Sequence, residues 1–416
     1  AIPRALLNID SAVAAVAPII EAVETRGEDA IVEFAQKFDA VDPRPIRVPQ
    51  AELDAALRGL SAELRQAIEL AIERVAKVSR ANLPTGTKTV LGEGAVVEQR
   101  WVPVDSVGLY VPGGKAVYPS SVVMNVVPAQ VAGVQRLVIA TPGQKEFGGR
   151  PHPTVLAVAG LLGVSNILVA GGAAAIASFA FGLKQIDLEP VDLVTGPGNI
   201  YVAAAKRLLR GQVGIDSEAG TTEILILADS SANAKFVAND LVSQAEHDDA
   251  AAAVLVTDSE QLIGDVQEEL KNLSSQTTHA ERVQKALGGQ QSALVLVDDL
   301  DAAINFANGY AAEHLELMTA QNQNVLGRIV HAGAIFVGDY SPVSLGDYMA
   351  GSNHVLPTGG SARFNAGLSV ATFLRPQQVI EYSRGALEVL AAQIDTFAKA
   401  EGLPAHGDAV TARFSS

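Results

Sequence analysis

VGLYVPGG, residues 107–114, decides the fold class. Val107–Val111 is apolar or small without alternation, the mark of a strand buried on both faces. Pro112 and two glycines then stop it, and a helix is expected from about Pro119. The rhythm returns in RLVIATPG (136–143), NILVAGGA (166–173) and DLVTGPGN (192–199). Helices are expected from about Thr154, over 173–184 and over 200–210. Strands of this kind alternating with helices argue for a parallel sheet covered on both faces.

A second series runs from EILILADS (223–230) through AAVLVTDS (252–259), SALVLVDD (292–299) and EHLELM (313–318) to AIFVG (334–338). Helices are expected over 233–246, 259–271, 300–309 and 321–331. Upstream, 9–38 and 50–82 carry apolar residues at helical spacing, as in Leu53, Leu57, Leu60, Leu64, Ile68, Ala71 and Val75. Residues 87–102 alternate around Gly92–Gly94 as a hairpin. The tail from Ala366 reads as mostly helical. The fold class is therefore α/β, with doubly wound parallel sheets, an N-terminal helical segment and a C-terminal helical tail.

The 416 residues are 48% apolar and 18% charged, enough for more than one core. A net charge of −16 argues against nucleic acid or an anionic membrane as partner. The chain has no cysteine. That excludes disulfides, a thiolate zinc site and aldehyde oxidation through a cysteine thioester. AIPRALLNIDSAVAAV lacks a basic head before an apolar core, and no apolar run reaches membrane-spanning length, so a cytoplasmic location is expected.

DYSPVSLGDYMAGSNHVLPTGG, residues 339–360, has neither helical nor strand periodicity and reads as a long ordered loop. Tyr340, Val343, Leu345, Tyr348, Met349, Val355 and Leu356 give it material to pack. Asp347 and His354 sit among small residues that let backbone approach a ligand. A loop this long in a compact chain is usually functional. It is expected to form one wall of a metal and substrate site.

Other segments supply further groups. VPGG (111–114) and GPGN (196–199) place backbone N–H groups at helix starts, suited to a phosphate or carboxylate, or simply make tight turns. No GxGxxG fingerprint occurs. In LVSQAEHDD (241–249), Gln244 and His247 share a helix face and could reach one metal; a surface histidine at a helix end is the plainer account. In AAEHLEL (311–317), Glu313 and His314 open a strand, where both can border one cavity as an acid/base pair or simply face solvent at a strand edge. Glu401 and His406 flank Pro404 in EGLPAH, in what is otherwise a frayed tail. Of the seven histidines, His152, His279 and His331 lie on or beside expected helices and are given no role.

Together GLYVPGG, GPGN, AGTTE, SQAEHD, AAEHLEL, SLGDYMAGSNHVLPT and EGLPAH, in this order, resemble the histidinol dehydrogenase family over nearly the whole chain. The resemblance implies an NAD- and zinc-dependent four-electron oxidation of L-histidinol to L-histidine through histidinaldehyde. It implies a homodimer of two Rossmann-like domains with swapped tails and shared active sites. The division would be 1–103 with 222–365 as the domain carrying most catalytic and metal residues, 104–221 as the NAD side, and 366–416 as the tail reaching the partner subunit.

By the same resemblance, zinc would be held by Gln244, His247, Asp347 and His406, the last from the partner subunit. Glu313 and His314 would be the catalytic pair. Thr222, His354 and Glu401 would join the zinc ligands and His314 around histidinol, and Tyr110 and Asn199 would contact NAD. Ala174 stands in GGAAA (171–175) where the family commonly has Gln, and Thr222 where it often has Ser. A zinc hydrolase using Glu313 and a two-lobed solute receptor are the competing readings.

Overall fold

The computed structural model describes residues 2–4, 9–113, 117–218 and 220–415. They form two compact units, Ala1–Ala81 with Val104–Phe373, and Asn82–Pro103 with Leu374–Ser416. In chain order the strands are β1 (Thr87–Gly92), β2 (Ala95–Pro103), β3 (Ser106–Tyr110), β4 (Arg136–Thr141), β5 (Ile167–Val169), β6 (Leu193–Thr195), β7 (Gly214–Ile215), β8 (Glu223–Ala228), β9 (Ala252–Thr257), β10 (Ala293–Leu296), β11 (His314–Met318), β12 (Ala334–Val337) and β13 (Leu374–Tyr382).

The first unit holds two five-stranded sheets, ordered β5-β4-β3-β6-β7 and β10-β9-β8-β11-β12. Every pairing in both is parallel. In each, the first strand by sequence is central and the chain reverses direction of travel between its first and fourth strands. Open parallel sheets part their loops at such a switch point, leaving a crevice for a ligand. β3, β8, β9 and β11 are buried along their whole length, which explains their unbroken apolar character.

The N-terminal helices cover the first of these sheets. Val16, Val23 and Ile31 share a core with Leu168, Ile176, Phe179 and Val202. These helices pack with the sheet of 106–215. Helical spacing reports that a face is buried and not against what. The expected helix over 50–82 divides into Gln50–Gly59 and Ala62–Ala81, because Leu60 is extended at ψ 127°. The helix expected over 321–331 is only Asn322–Leu326.

Two further corrections concern the second half of the chain. The supposed loop 339–360 contains a helix, Val343–Tyr348, entered through Pro342. The tail is not wholly helical: β13 pairs antiparallel with β2, and β1 with β2, forming the three-stranded sheet of the second unit. LRPQQVIEY is mostly exposed and contains Pro376, so it lacks the apolar signal of a strand. Helices Arg384–Ala400 and Pro404–Thr411 follow it.

Candidate active site

A cavity of about 510 Å³ lies where the two sheets of the first unit present opposite ends. The C-terminal ends of β3 and β6 contribute Tyr110, Pro112, Gly113, Pro197, Gly198 and Asn199. The N-terminal ends of β8 and β11 contribute Thr222, Glu313 and His314, and the 343–358 segment contributes Asp347 and His354. The second sheet thus departs from the usual use of strand C-terminal ends.

Ala311 ends helix Leu300–Tyr310 in the left-handed region, at φ 51°, and turns the chain into β11. There His314 stands opposite Ile224 of β8, which sets Glu313 beside Thr222 and Glu223. Glu313 Oε2 accepts from Thr222 Oγ1 at 2.6 Å and from the Glu223 N–H at 2.9 Å. Burial nevertheless pushes the Glu313 carboxyl up to about 8, against those bonds. His314 Nδ1 lies 3.1 Å from the Glu223 carbonyl oxygen and therefore carries the hydrogen, leaving Nε2 as an acceptor. Burial holds His314 below its ordinary value, opposed by the Asp347 charge. A buried carboxyl near neutrality beside a neutral imidazole is an arrangement suited to proton transfer.

The possible metal ligands approach from two helices. Gln244 and His247 lie at the end of helix Ala234–Ala245 and just beyond it. Gln244 is 2% exposed and lies behind the cavity lining, its Nε2 donating to Thr222 Oγ1 at 2.7 Å. Its Oε1 is buried without a hydrogen-bond partner. A buried acceptor left bare is costly and points to an electrophile that belongs there. His247 Nε2 and Asp347 Oδ2 are 3.9 Å apart, too far for a hydrogen bond. Burial favours the neutral form of each, while their attraction opposes it. Among the described residues no group of three or more His, Cys, Asp or Glu is close enough to hold a metal. Holding a metal between the pair and the Gln244 oxygen would take a further donor.

Asp347 is placed by its neighbour. A Cβ on Gly346 would lie 2.6 Å from Phe336 Cε1, so only glycine lets the helix lie against β12. His354 Nδ1 meets the Asp347 carbonyl oxygen at 3.1 Å and its Nε2 meets Ser121 Oγ at 3.2 Å. Burial lowers His354 to about 4, so it is neutral.

On the other wall, the Gly172 N–H donates to the Tyr110 hydroxyl at 3.1 Å, tying β3 to the GGAAA turn where Ala174 is buried. Asn199 Oδ1 caps helix Ile200–Leu209, accepting from the N–H groups of Tyr201 and Val202 at 3.0 and 3.2 Å, which leaves its Nδ2 for a ligand. Gly196, at φ 116°, presses on the Tyr110 carbonyl, where a Cβ would come within 2.1 Å. The GPGN turn is pinned from beneath by a buried ion pair that the sequence reading missed. Lys206 Nζ reaches the Gly196 oxygen and Asp216 Oδ1, both at 2.6 Å, and the Gly196 N–H donates to Asp216 Oδ2 at 2.8 Å. The helix after VPGG begins at Pro119, as expected, and Gly114 lies outside the described residues.

Thr222, His247, Glu313, His314, Asp347, His354, Tyr110 and Asn199 thus line one cavity, with Gln244 behind it. Glu401 and His406 belong to the second unit, at the end of helix Arg384–Ala400 and within Pro404–Thr411, and both are exposed. Sequence reasoning also missed Ser121, Tyr118 and Tyr348 as lining residues; nothing in their spacing marks them. His152 has a local task, its Nδ1 accepting from the Thr154 N–H at 3.2 Å. His279 lines a neighbouring cavity of about 700 Å³ together with His247 and Asp347.

The family model described as Histidinol dehydrogenase matches residues 2–414. The histidinol dehydrogenase of Leifsonia xyli subsp. xyli is 58% identical over 413 residues, 99% of this chain and 95% of that protein. That of Mycolicibacterium smegmatis is 57% identical over 417 residues, 100% of this chain and 94% of that protein. The crystal structure of histidinol dehydrogenase from Elizabethkingia anophelis matches with a TM-score of 0.94 at 34% identity, over 99% of this chain and 94% of that one.

Proposed function

The chain belongs to the histidinol dehydrogenase family, and from that premise we propose that it oxidises L-histidinol to L-histidine through L-histidinaldehyde, with zinc and NAD, as the last step of histidine biosynthesis in the cytoplasm. One observation carries the reading: Glu313, His314, His247 and Asp347 line a single cavity, with the bare Gln244 oxygen behind it.

The residues fit zinc. Gln244, His247 and Asp347 offer nitrogen and oxygen donors of the kind it takes, and His406 of the partner subunit would complete the set. The adjoining cavity of about 700 Å³, which also reaches His247 and Asp347, leaves room for that donor. When bound, zinc supplies a Lewis-acidic anchor for the imidazole and amine of histidinol, and NAD supplies the hydride acceptor.

The chain's own groups manage protons and position. His314 Nε2 takes the hydroxyl proton as the carbinol carbon is oxidised. With no cysteine available, the aldehyde must gain water. Glu313 Oε1 takes a proton from that water while Oε2 stays tied to Thr222 and Glu223. His314, once it has released its first proton to water, deprotonates the hydrate for the second oxidation. His354, neutral and fixed at both nitrogens, and Glu401 would complete the substrate pocket.

NAD would lie against the ends of β3 and β6, with Tyr110 and the Asn199 Nδ2 as contacts and the GPGN backbone facing the phosphates. The two parallel sheets are read as two Rossmann-like domains, the sheet of 106–215 being the NAD side. A homodimer with exchanged tails is supported by the second unit's surface. Val90, Ile380, Val389 and Phe397 are each more than 60% exposed there, an apolar surface that another copy would cover.

The test is metal analysis of purified protein together with NADH formation from L-histidinol. Zinc in the protein and two NADH per substrate are expected for a four-electron oxidation. Zinc-free turnover, or release of aldehyde after a single NADH, would overturn the reading.

A further inference from the structure

Glu316 is a buried carboxyl for which the proposed reaction has no use. It lies on β11, 1% exposed, two residues beyond His314 and on the same side of the strand. Its Oε1 accepts the Val343 backbone N–H at 2.9 Å. Val343 opens the helix Val343–Tyr348 that carries Asp347. Its Oε2 is buried and meets no amide or hydroxyl donor. The group that it meets is the carboxyl of Asp240, one turn before Gln244 in helix Ala234–Ala245.

A buried carboxyl facing a half-buried one disfavours ionisation of both, and a proton shared between them relieves the repulsion. Burial raises both, Asp240 to about 6 and Glu316 well above its ordinary value. One O–H of Glu316 shared with the Asp240 carboxylate would give the bare Oε2 a partner, and no bond is made or broken beyond that hydrogen bond. An apolar side chain could fill the same space. It could not grip a helix N-terminus on one side and another helix on the other.

We infer that Glu316 is a positioning residue: through Val343 and through a proton shared with Asp240, it sets the separation of Asp347, Gln244 and His314. Three separate elements meet at this one carboxyl, and each carries a group that the cation or substrate needs. The inference rests on the metal reading given above, and the experiment keeps the two apart.

The measurement is zinc affinity of metal-stripped protein, by competition with a chromophoric chelator. A wild type that binds no zinc sinks the metal reading, and this inference with it. With binding established, Glu316→Gln keeps both contacts, Nε2 donating to Asp240 and Oε1 accepting from Val343. It should bind zinc within about twofold of wild type, whereas Glu316→Ala should bind at least roughly tenfold more weakly with its helical circular dichroism retained. Wild-type affinity in Glu316→Ala overturns the inference, as does an equal loss in Glu316→Gln. If Glu316→Ala does not fold, Asp240→Ala and Asp240→Asn pose the same contrast. Asparagine can donate to Glu316 and should preserve affinity, while alanine should not. Equal affinity in those two variants also overturns it.

Discussion

The Thr222 hydroxyl donates to Glu313 Oε2 at 2.6 Å while accepting from Gln244 Nε2 at 2.7 Å. One hydroxyl therefore joins the candidate base to a candidate metal ligand. It also settles the orientation of each. Glu313 keeps Oε1 for chemistry, and Gln244 turns its oxygen away, where it has no partner. The methyl that threonine adds to serine leaves this relay intact.

Glu313→Gln should separate the two oxidations. The amide cannot take a proton from water, so histidinaldehyde oxidation should fall by roughly 10²–10⁴. Histidinol oxidation to the aldehyde should fall far less. Equal losses for both substrates, in single-turnover assays, would remove Glu313 from the hydration step.

The pH dependence follows from the same residue. Burial raises Glu313 from 4.5 to about 8. Below 4.5 folded and unfolded chains both hold the proton; between 4.5 and about 8 only the folded chain does. The group's contribution to stability is thus greatest at low pH, falls as pH rises through that window, and levels off above it. Melts of metal-free wild type and Glu313→Gln should therefore diverge with rising pH, by on the order of a few kcal/mol. Aldehyde oxidation should rise with pH through about 8. A flat profile across that range contradicts the assignment.

His247→Asn should weaken zinc binding by at least roughly tenfold, since loss of a ligand should cost no less than loss of its support. Metal content after dialysis against a chelator reads this directly. Full retention would strike His247 from the ligand set.

Coexpressed His406→Ala and Asp347→Ala subunits should regain activity that neither variant has alone. Each heterodimer can assemble one site from two intact halves. Purified heterodimers without activity would argue against a shared site.

Lys206→Met should leave Asp216 buried and unpaired beneath the GPGN turn. Breaking such a pair costs about 3–5 kcal/mol. KM for NAD should rise while KM for histidinol changes little, because Lys206 holds Gly196 and touches no part of the histidinol pocket. Adding Asp216→Asn should restore part of the melting temperature. An unchanged KM for NAD in folded Lys206→Met would separate the ion pair from cofactor binding.

Elements with a local signal were legible in the residues alone. Val107–Val111 and Glu223–Ala228 read as buried strands because helices cover both faces of the parallel sheets they belong to. Gly-rich turns marked the strand ends, and the resemblance carried by a few motifs marked the candidate site residues.

The remaining features depend on contacts between distant segments. Helix Val343–Tyr348 is supported by the distant Glu316 carboxyl, so no nearby residue announces it. β13 stands on an exposed sheet of the second unit and lacks the apolar pattern by which strands are recognised. That Gln244 has a bare oxygen, and that β8 and β11 use their N-terminal ends, depend on strand order and register. Those arise from pairing between segments far apart in the chain, and residue spacing along one segment carries no record of its neighbours.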